Sequence, residues 1–346
     1  MIDASATTDR TGKAVRSGDK FLPSLGIILV TGGLLLLGWF FYLWFKPLPI
    51  LYSYEQIPLD QGDKKRISKI DLSSWPELKL ERYQVKTIDV DKPIAEMIVA
   101  RRGNDAPVLL DWKNNTAEVL YNLEKKPSEL MELASVIGKH AAPESLILSW
   151  WDTARQIKLL TGRDTLFTNH LNEPLILPLP WLEQSRTIQA YEEAFWGNTA
   201  DSQEQEHFKR FSAALALPAE QGIQKLRELI GSDREAYLVI HVTDLYKLGL
   251  MYPDKIGVAY KNFPLTGNMH GMINHMKVQL KEHDFHTYTL QSLADDEIRA
   301  FFLSDEVSSE TLIARLLPFV DKKAPTEQDI APVAYQQGGY WVYKIP

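Results

Sequence analysis

Phe21 to Phe45, FLPSLGIILVTGGLLLLGWFFYLWF, runs 25 residues without a charge, and nothing else in the chain narrows its options as much. At about 1.5 Å per residue in a helix, such a run exceeds a hydrocarbon core roughly 30 Å thick. A cleaved signal peptide has a shorter apolar region, about 7 to 15 residues, ahead of a small-residue cleavage site. This run ends instead in Trp39, Phe40, Phe41, Tyr42, Trp44 and Phe45. The expectation is a retained signal anchor that crosses a membrane once. Arg10, Lys13, Arg16 and Lys20 precede it and only Lys46 follows closely, so the positive-inside rule keeps residues 1–20 in the cytoplasm as a tail. Trp39, Tyr42 and Trp44 then fall at the outer interface, and the rest of the chain lies outside the cytoplasm, which in a bacterium is the periplasm.

Residues 46–78 mix proline, glycine and charge without a sustained period and read as a stalk. From residue 79 to 346, short apolar runs alternate with helical patterns, the mark of an α/β domain with a mixed, partly parallel sheet. Strands are expected at Ser145–Ser149, Thr165–Thr168, Ala236–Val242 and Tyr340–Ile345, and helices at Thr153–Thr161, Val242–Met251 and Leu293–Leu303, among others. The chain has no cysteine. That excludes disulfides, thiolate metal sites, a cysteine nucleophile and covalent c-type haem. With no P-loop, G-x-G-x-x-G, H-E-x-x-H or G-x-S-x-G in the sequence, no cofactor is expected. A net charge of −7 argues against nucleic acid as a partner.

The densest chemistry lies in residues 149–170, SWWDTARQIKLLTGRDTLFTNH. Ala154, Ile157 and Leu160 recur at helical spacing, Gly162 offers a left-handed cap, and an extended run follows. If the two flanking strands are parallel, their carboxyl ends share one edge of the sheet, beyond which ligands bind in such folds. Trp150, Trp151 and Asp152 would then meet Asn169 and His170 around one crevice, with Arg155 and Arg163 nearby, as a ligand or partner site. The plainer alternative is that Asp152 caps the helix and the indoles fill a corner. A second cluster, Met269, His270, Met272, His275 and Met276, offers the soft ligands that suit copper. Methionines at helical spacing are more often core filler, so no metal is expected there. No catalytic residue is assigned.

Two resemblances follow from these residues. SWWD, a helix, and then GRDTLF resemble the acceptor-binding W-W-D segment in the catalytic subunit of asparagine-linked oligosaccharyltransferases, where the tryptophans and aspartate hold the acceptor hydroxyl. That likeness is confined to this segment, Thr153 stands where that family has glycine, and the spans carrying its metal-binding carboxylates are missing. The single anchor, the cysteine-free α/β domain, ILSWWDTARQIKLLTGRDTLFTNHLNEPLILPLPW and the terminal GGYWVYKI together resemble the hydroxylamine oxidation protein HaoB family. This second resemblance implies a partner, the multihaem hydroxylamine oxidoreductase, and a non-enzymatic accessory role beside it. A peptide- or glycan-binding transferase-like domain and a copper-handling protein are the alternatives.

Overall fold

The computed structural model describes residues 21–45, 51–59, 70–88, 90–116, 123–171, 179–197, 199–231, 234–265, 269–294, 296–320, 325 and 330–346, with the backbone alone for 21–24, 45, 179, 180 and 269–272. The chain divides into two units, residues 1–49 and 50–346. In the first, α1 (Phe21–Phe45) is a helix throughout. Its stretch Leu25–Trp44, with a mean hydropathy of 2.1, is long and apolar enough to cross a membrane. Leucine, isoleucine and aromatic residues surround its axis, as suits a helix solvated by lipid.

Among its described residues, the second unit holds three sheets. Strands β1 (Tyr52–Ile57), β2 (Leu78–Thr87), β3 (Ala95–Arg102) and β4 (Val108–Asn114) form an antiparallel meander. Then come α2 (Pro127–His140), β5 (Leu146–Ser149), α3 (Trp151–Thr161) and β6 (Asp164–Thr165), followed by α4 (Ser185–Trp196), α5 (Ser202–Leu215) and α6 (Ala219–Ile230). After β7 (Ala236–His241) and α7 (Asp244–Met251), strands β8 (Val258–Pro264), β9 (Thr287–Ser292) and β10 (Glu297–Leu303) make a second antiparallel sheet, with α8 (Met269–Glu282) between β8 and β9. Two short helices, α9 (Glu306–Ser309) and α10 (Leu312–Arg315), precede the hairpin β11 (Val333–Gln337) and β12 (Tyr340–Ile345).

The central sheet has the order β11-β12-β7-β5-β6, with β7, β5 and β6 parallel and β12 antiparallel to β7. The expected mixed α/β architecture is therefore present. Both faces of this sheet are covered, which is why its strands read as unbroken apolar runs. Leu146, Leu148, Leu238 and Ile240 face a core shared with Phe208, Phe211 and Leu226, while the alternate residues Ile147, Val239 and Val342 face Leu130, Leu133, Ile137 and Ile157. Successive side chains along a strand point to opposite sides. Against the other face of the meander, Tyr52, Tyr83, Val85 and Met97 pack on Ile188 and Trp196 of α4.

Three local expectations are corrected. Of the segment read as a stalk, Tyr52–Ile57 is β1, paired with β2 from Tyr52↔Thr87 to Ile57↔Arg82. Leu293–Leu303 is not a helix, because Glu297–Leu303 is the central strand of the β8-β10-β9 sheet and is buried on both faces. The run expected at Thr165–Thr168 joins the sheet only at its start, with Asp164 and Thr165 in register with Leu146 and Ile147 and the Leu166 N–H donating to the Ile147 carbonyl at 3.0 Å.

Candidate functional site

The carboxyl ends of β5 and β7 lie side by side, Ser149 opposite Val239. β5 has β6 on one flank and β7 on the other, so the order of the chain reverses around it, which is where open α/β sheets place their crevices. From β5 the chain turns directly into α3. Trp150 sits at the N-cap position, and the helix closes at Gly162, whose φ of +69° is the left-handed cap the sequence promised.

Asp152 stands in the first turn of α3. Its Oδ1 accepts the Thr153 N–H at 2.7 Å, satisfying one of the donors a helix start leaves open. Its Oδ2 lies 3.2 Å from Lys247 Nζ and 3.4 Å from Lys125 Nζ. Lys247 also reaches Asp244 Oδ1 at 3.3 Å, and Asp244 Oδ2 accepts the His241 N–H at 2.9 Å. Two ammoniums thus face two carboxylates. Burial alone would raise the Asp152 carboxyl, but Lys125 and Lys247 outweigh it and hold it well below the usual carboxylate range. His241 is kept neutral by burial and by the same two lysines. Its Nδ1 accepts the Thr243 N–H at 3.2 Å, so the proton sits on Nε2, which packs against Gly339. A Cβ at Gly339 would lie 2.4 Å from that nitrogen, so the hairpin needs glycine there.

The remaining expected residues divide into those at the corner and those away from it. Trp150 is 3% exposed and packs edge-on against Phe208 at 5.2 Å, with Lys247 Nζ 5.1 Å from its ring centroid. Trp151 is partly exposed and meets the His170 ring at 4.7 Å. On its other side His170 stacks on Trp196 at 5.5 Å, the planes 7° apart. Burial first, and then the Arg155 charge, push the His170 pKa down to about 3, so the ring is neutral. Arg155 donates to the Pro107 carbonyl at 3.0 Å; burial pushes its pKa down to about 10. Asn169 is held by Glu204, through its side-chain amide at 2.8 Å and its backbone N–H at 3.0 Å. Arg163 does not join them. It lies past the far end of α3 and donates to the Gly138 carbonyl at 2.9 Å.

Among the described residues, one small cavity adjoins the corner. With a volume of about 20 Å³, and bounded by Leu109, Trp112, Leu123, Asp111, Lys125, Asp152 and Gln156, it has room for about one water. Among the described residues, no grouping of histidine and carboxylates suits a metal ion. Of the methionine-histidine cluster, His275 is exposed and Met276 is fully buried against Tyr288 and Phe302, so these two do not converge. The side chains of Met269, His270 and Met272 fall outside the described residues.

Lys125, His241, Asp244 and Lys247 were missed by the sequence reading. One signal could have found two of them: β7 ends at His241 and is followed by Val242, Thr243 and Asp244, and the rule that singled out the end of β5 applies equally to its parallel neighbour.

The profile of HaoA-associated protein HaoB matches residues 18–345. The chain belongs to that family. Membership associates it with hydroxylamine oxidation and extends through α1, since the match begins before Phe21. A search of curated proteins gave no match. Among solved structures, the crystal structure of the C. jejuni PglB C-terminal domain is similar at 10% identity and a TM-score of 0.34, covering 62% of this chain and 99% of that one. A likeness of that size carries no argument about activity.

Proposed function

We propose that the chain is a membrane-anchored, extracytoplasmic accessory protein that tethers or assists a multihaem hydroxylamine oxidoreductase, with no catalysis of its own. Family membership over residues 18–345, under a description that names association with HaoA, carries this reading. The corner supports it, because among the described residues Asp152 is committed to Lys125 and Lys247 rather than left free to hold a small ligand. The uncharged α1 and the basic residues ahead of it support a single inner-membrane crossing with the domain in the periplasm. Holding a soluble enzyme at the membrane raises the effective concentration of the pair without any cofactor in this chain. Of the corner residues, the partly exposed Trp151 and Asn169 are the ones a partner would touch. Trp150, Asp152, Arg155 and His170 support them from beneath.

Affinity capture of the detergent-solubilised full-length protein from its native membranes tests this, with haem absorbance and mass spectrometry on the recovered material. The expected result is a multihaem oxidoreductase recovered with wild type and lost with a folded Trp151→Ala variant. Capture of no haem protein, under conditions that preserve weak complexes, overturns the accessory role.

A further inference from the structure

The wall between the meander and α4 is built from oxidisable rings gathered on one carboxylate. Tyr54 Oη donates to Glu192 Oε1 at 2.7 Å, Tyr52 Oη donates to the same oxygen, and Trp196 Nε1 donates to Oε2 at 2.6 Å. From there the rings continue in both directions. Trp151 is 4.7 Å from His170, His170 5.5 Å from Trp196, Trp196 6.0 Å from Tyr54, Tyr54 5.6 Å from Tyr52, and Tyr52 5.5 Å from Trp181, centroid to centroid. Tyr52 and Trp196 are buried, whereas Trp151 and Trp181, at the two ends, are partly exposed.

An aromatic core gains nothing from a carboxylate at its centre, since burying an uncompensated charge is costly. Asp152 and Asp244 meet that cost with an ammonium. The donors on Glu192 are two phenols and an indole, none of them charged. What they share is that each gives up one electron more readily than other side chains and becomes strongly acidic when it does. A proton acceptor within hydrogen-bond reach is what such a step requires.

We propose that Tyr52, Tyr54 and Trp196 form a one-electron relay, with Glu192 as their common proton acceptor, that carries an oxidising equivalent between Trp151 and Trp181. A high-potential oxidised metal complex at the surface takes one electron and is reduced by one. The Tyr54 O–H bond breaks, its proton passes to Glu192 Oε1 to make a carboxyl O–H, and a neutral tyrosyl radical remains. An electron from the next ring and the proton from Glu192 restore the phenol. Burial raises the Glu192 carboxyl above its ordinary range, only partly opposed by its three hydrogen bonds, which strengthens it as a proton acceptor. Neutral His170 is the spacer between the two indoles. The relay does not depend on the accessory role.

Full-length protein in detergent, oxidised by a photogenerated ruthenium(III) polypyridyl complex and followed by transient absorption and electron paramagnetic resonance, tests the proposal. Wild type should give a neutral tyrosyl radical whose formation slows in deuterated solvent. The Tyr52→Phe/Tyr54→Phe variant should abolish it, and Glu192→Gln, whose amide cannot take the proton, should lower its yield about tenfold or more and remove the isotope effect. A wild type without a tyrosyl radical, a radical that survives the double variant, or an unchanged yield in folded Glu192→Gln overturns the relay. Should Glu192→Gln not fold, Tyr54→Phe alone, which leaves the carboxylate two donors, must still lower the yield for the proposal to stand.

Discussion

Asp152 and Glu192 are buried alike, each 9% exposed, yet their carboxyls move in opposite directions. At the end of β5, two lysines hold Asp152 ionised against the cost of burial. On α4, neutral donors temper that cost for Glu192 without overcoming it, and its pKa rises. Desolvation acts on both with the same sign, and the charge of the partners decides the outcome. The two regions also differ in reach. Asp152 and Lys247 link the starts of helices that follow parallel strands, whereas Glu192 joins α4 to an edge strand of the meander.

The sharpest break comes from removing the acid that has charged partners. Asp152→Ala leaves Lys247, buried beneath Trp150, with Asp244 alone, and Lys125 with Thr153 Oγ1 at 3.2 Å. Stripping one partner from a buried pair costs about 3–5 kcal/mol, to be read from denaturant unfolding of the purified protein. A loss below about 1 kcal/mol, the range of exposed pairs, would mean that the lysines swing into water and that the corner is not a charge-locked joint.

Glu129 is a third case, intermediate in its partners. It accepts the Gly339 N–H at 2.9 Å and has Lys126 at 3.9 Å, and burial still raises its carboxyl. Gly338, at a φ of +56°, lies directly against it, where an added Cβ would fall 1.9 Å from Glu129 Cδ. Gly338→Ala therefore combines backbone strain with a clash against a carboxylate that cannot retreat from its backbone donor, for a loss of about 2–4 kcal/mol. Thermal unfolding within about 1 °C of wild type would show that the hairpin yields freely.

Which of these features the sequence could reveal follows from how each is encoded. The β5-α3-β6 crossover was legible because the apolar period of α3 and its glycine cap are local. β10 was misread because a strand covered on both faces loses its alternation: Ile298, Ala300, Phe301, Phe302 and Leu303 are all buried and fit a helical template equally well. β1 hid inside a polar stretch because only Tyr52 is fully buried there. The partners of the two acids were not legible at all. Lys247 stands 95 residues from Asp152 and Tyr54 138 residues from Glu192, and periodicity speaks of one element's faces, never of what another element brings to them.

The smallest expected effect in stability separates the two acids most directly. Glu192→Gln keeps an acceptor for Tyr52 and Tyr54 and sets a donor against Trp196 Nε1, while it removes a buried charge. The net cost is about 1 kcal/mol, and the response to pH carries the distinction. A carboxyl whose folded pKa is raised binds its proton more tightly in the native state. The stability Glu192 contributes is thus full below its ordinary value of 4.5 and is lost as pH climbs from there through the raised value. For Asp152, whose folded pKa is depressed, the contribution is full above its ordinary 3.8 and is lost as pH falls below it. Unfolding free energy measured across this range should then decline less steeply above pH 4.5 in Glu192→Gln than in wild type, Glu129 keeping its share of the decline, and the acid limb should remain. In Asp152→Asn the acid limb should flatten and the decline persist. Identical slopes in wild type and Glu192→Gln would mean that the three neutral donors fully offset the cost of burying the carboxylate, so that a buried acid here needs no charged partner to stay ionised.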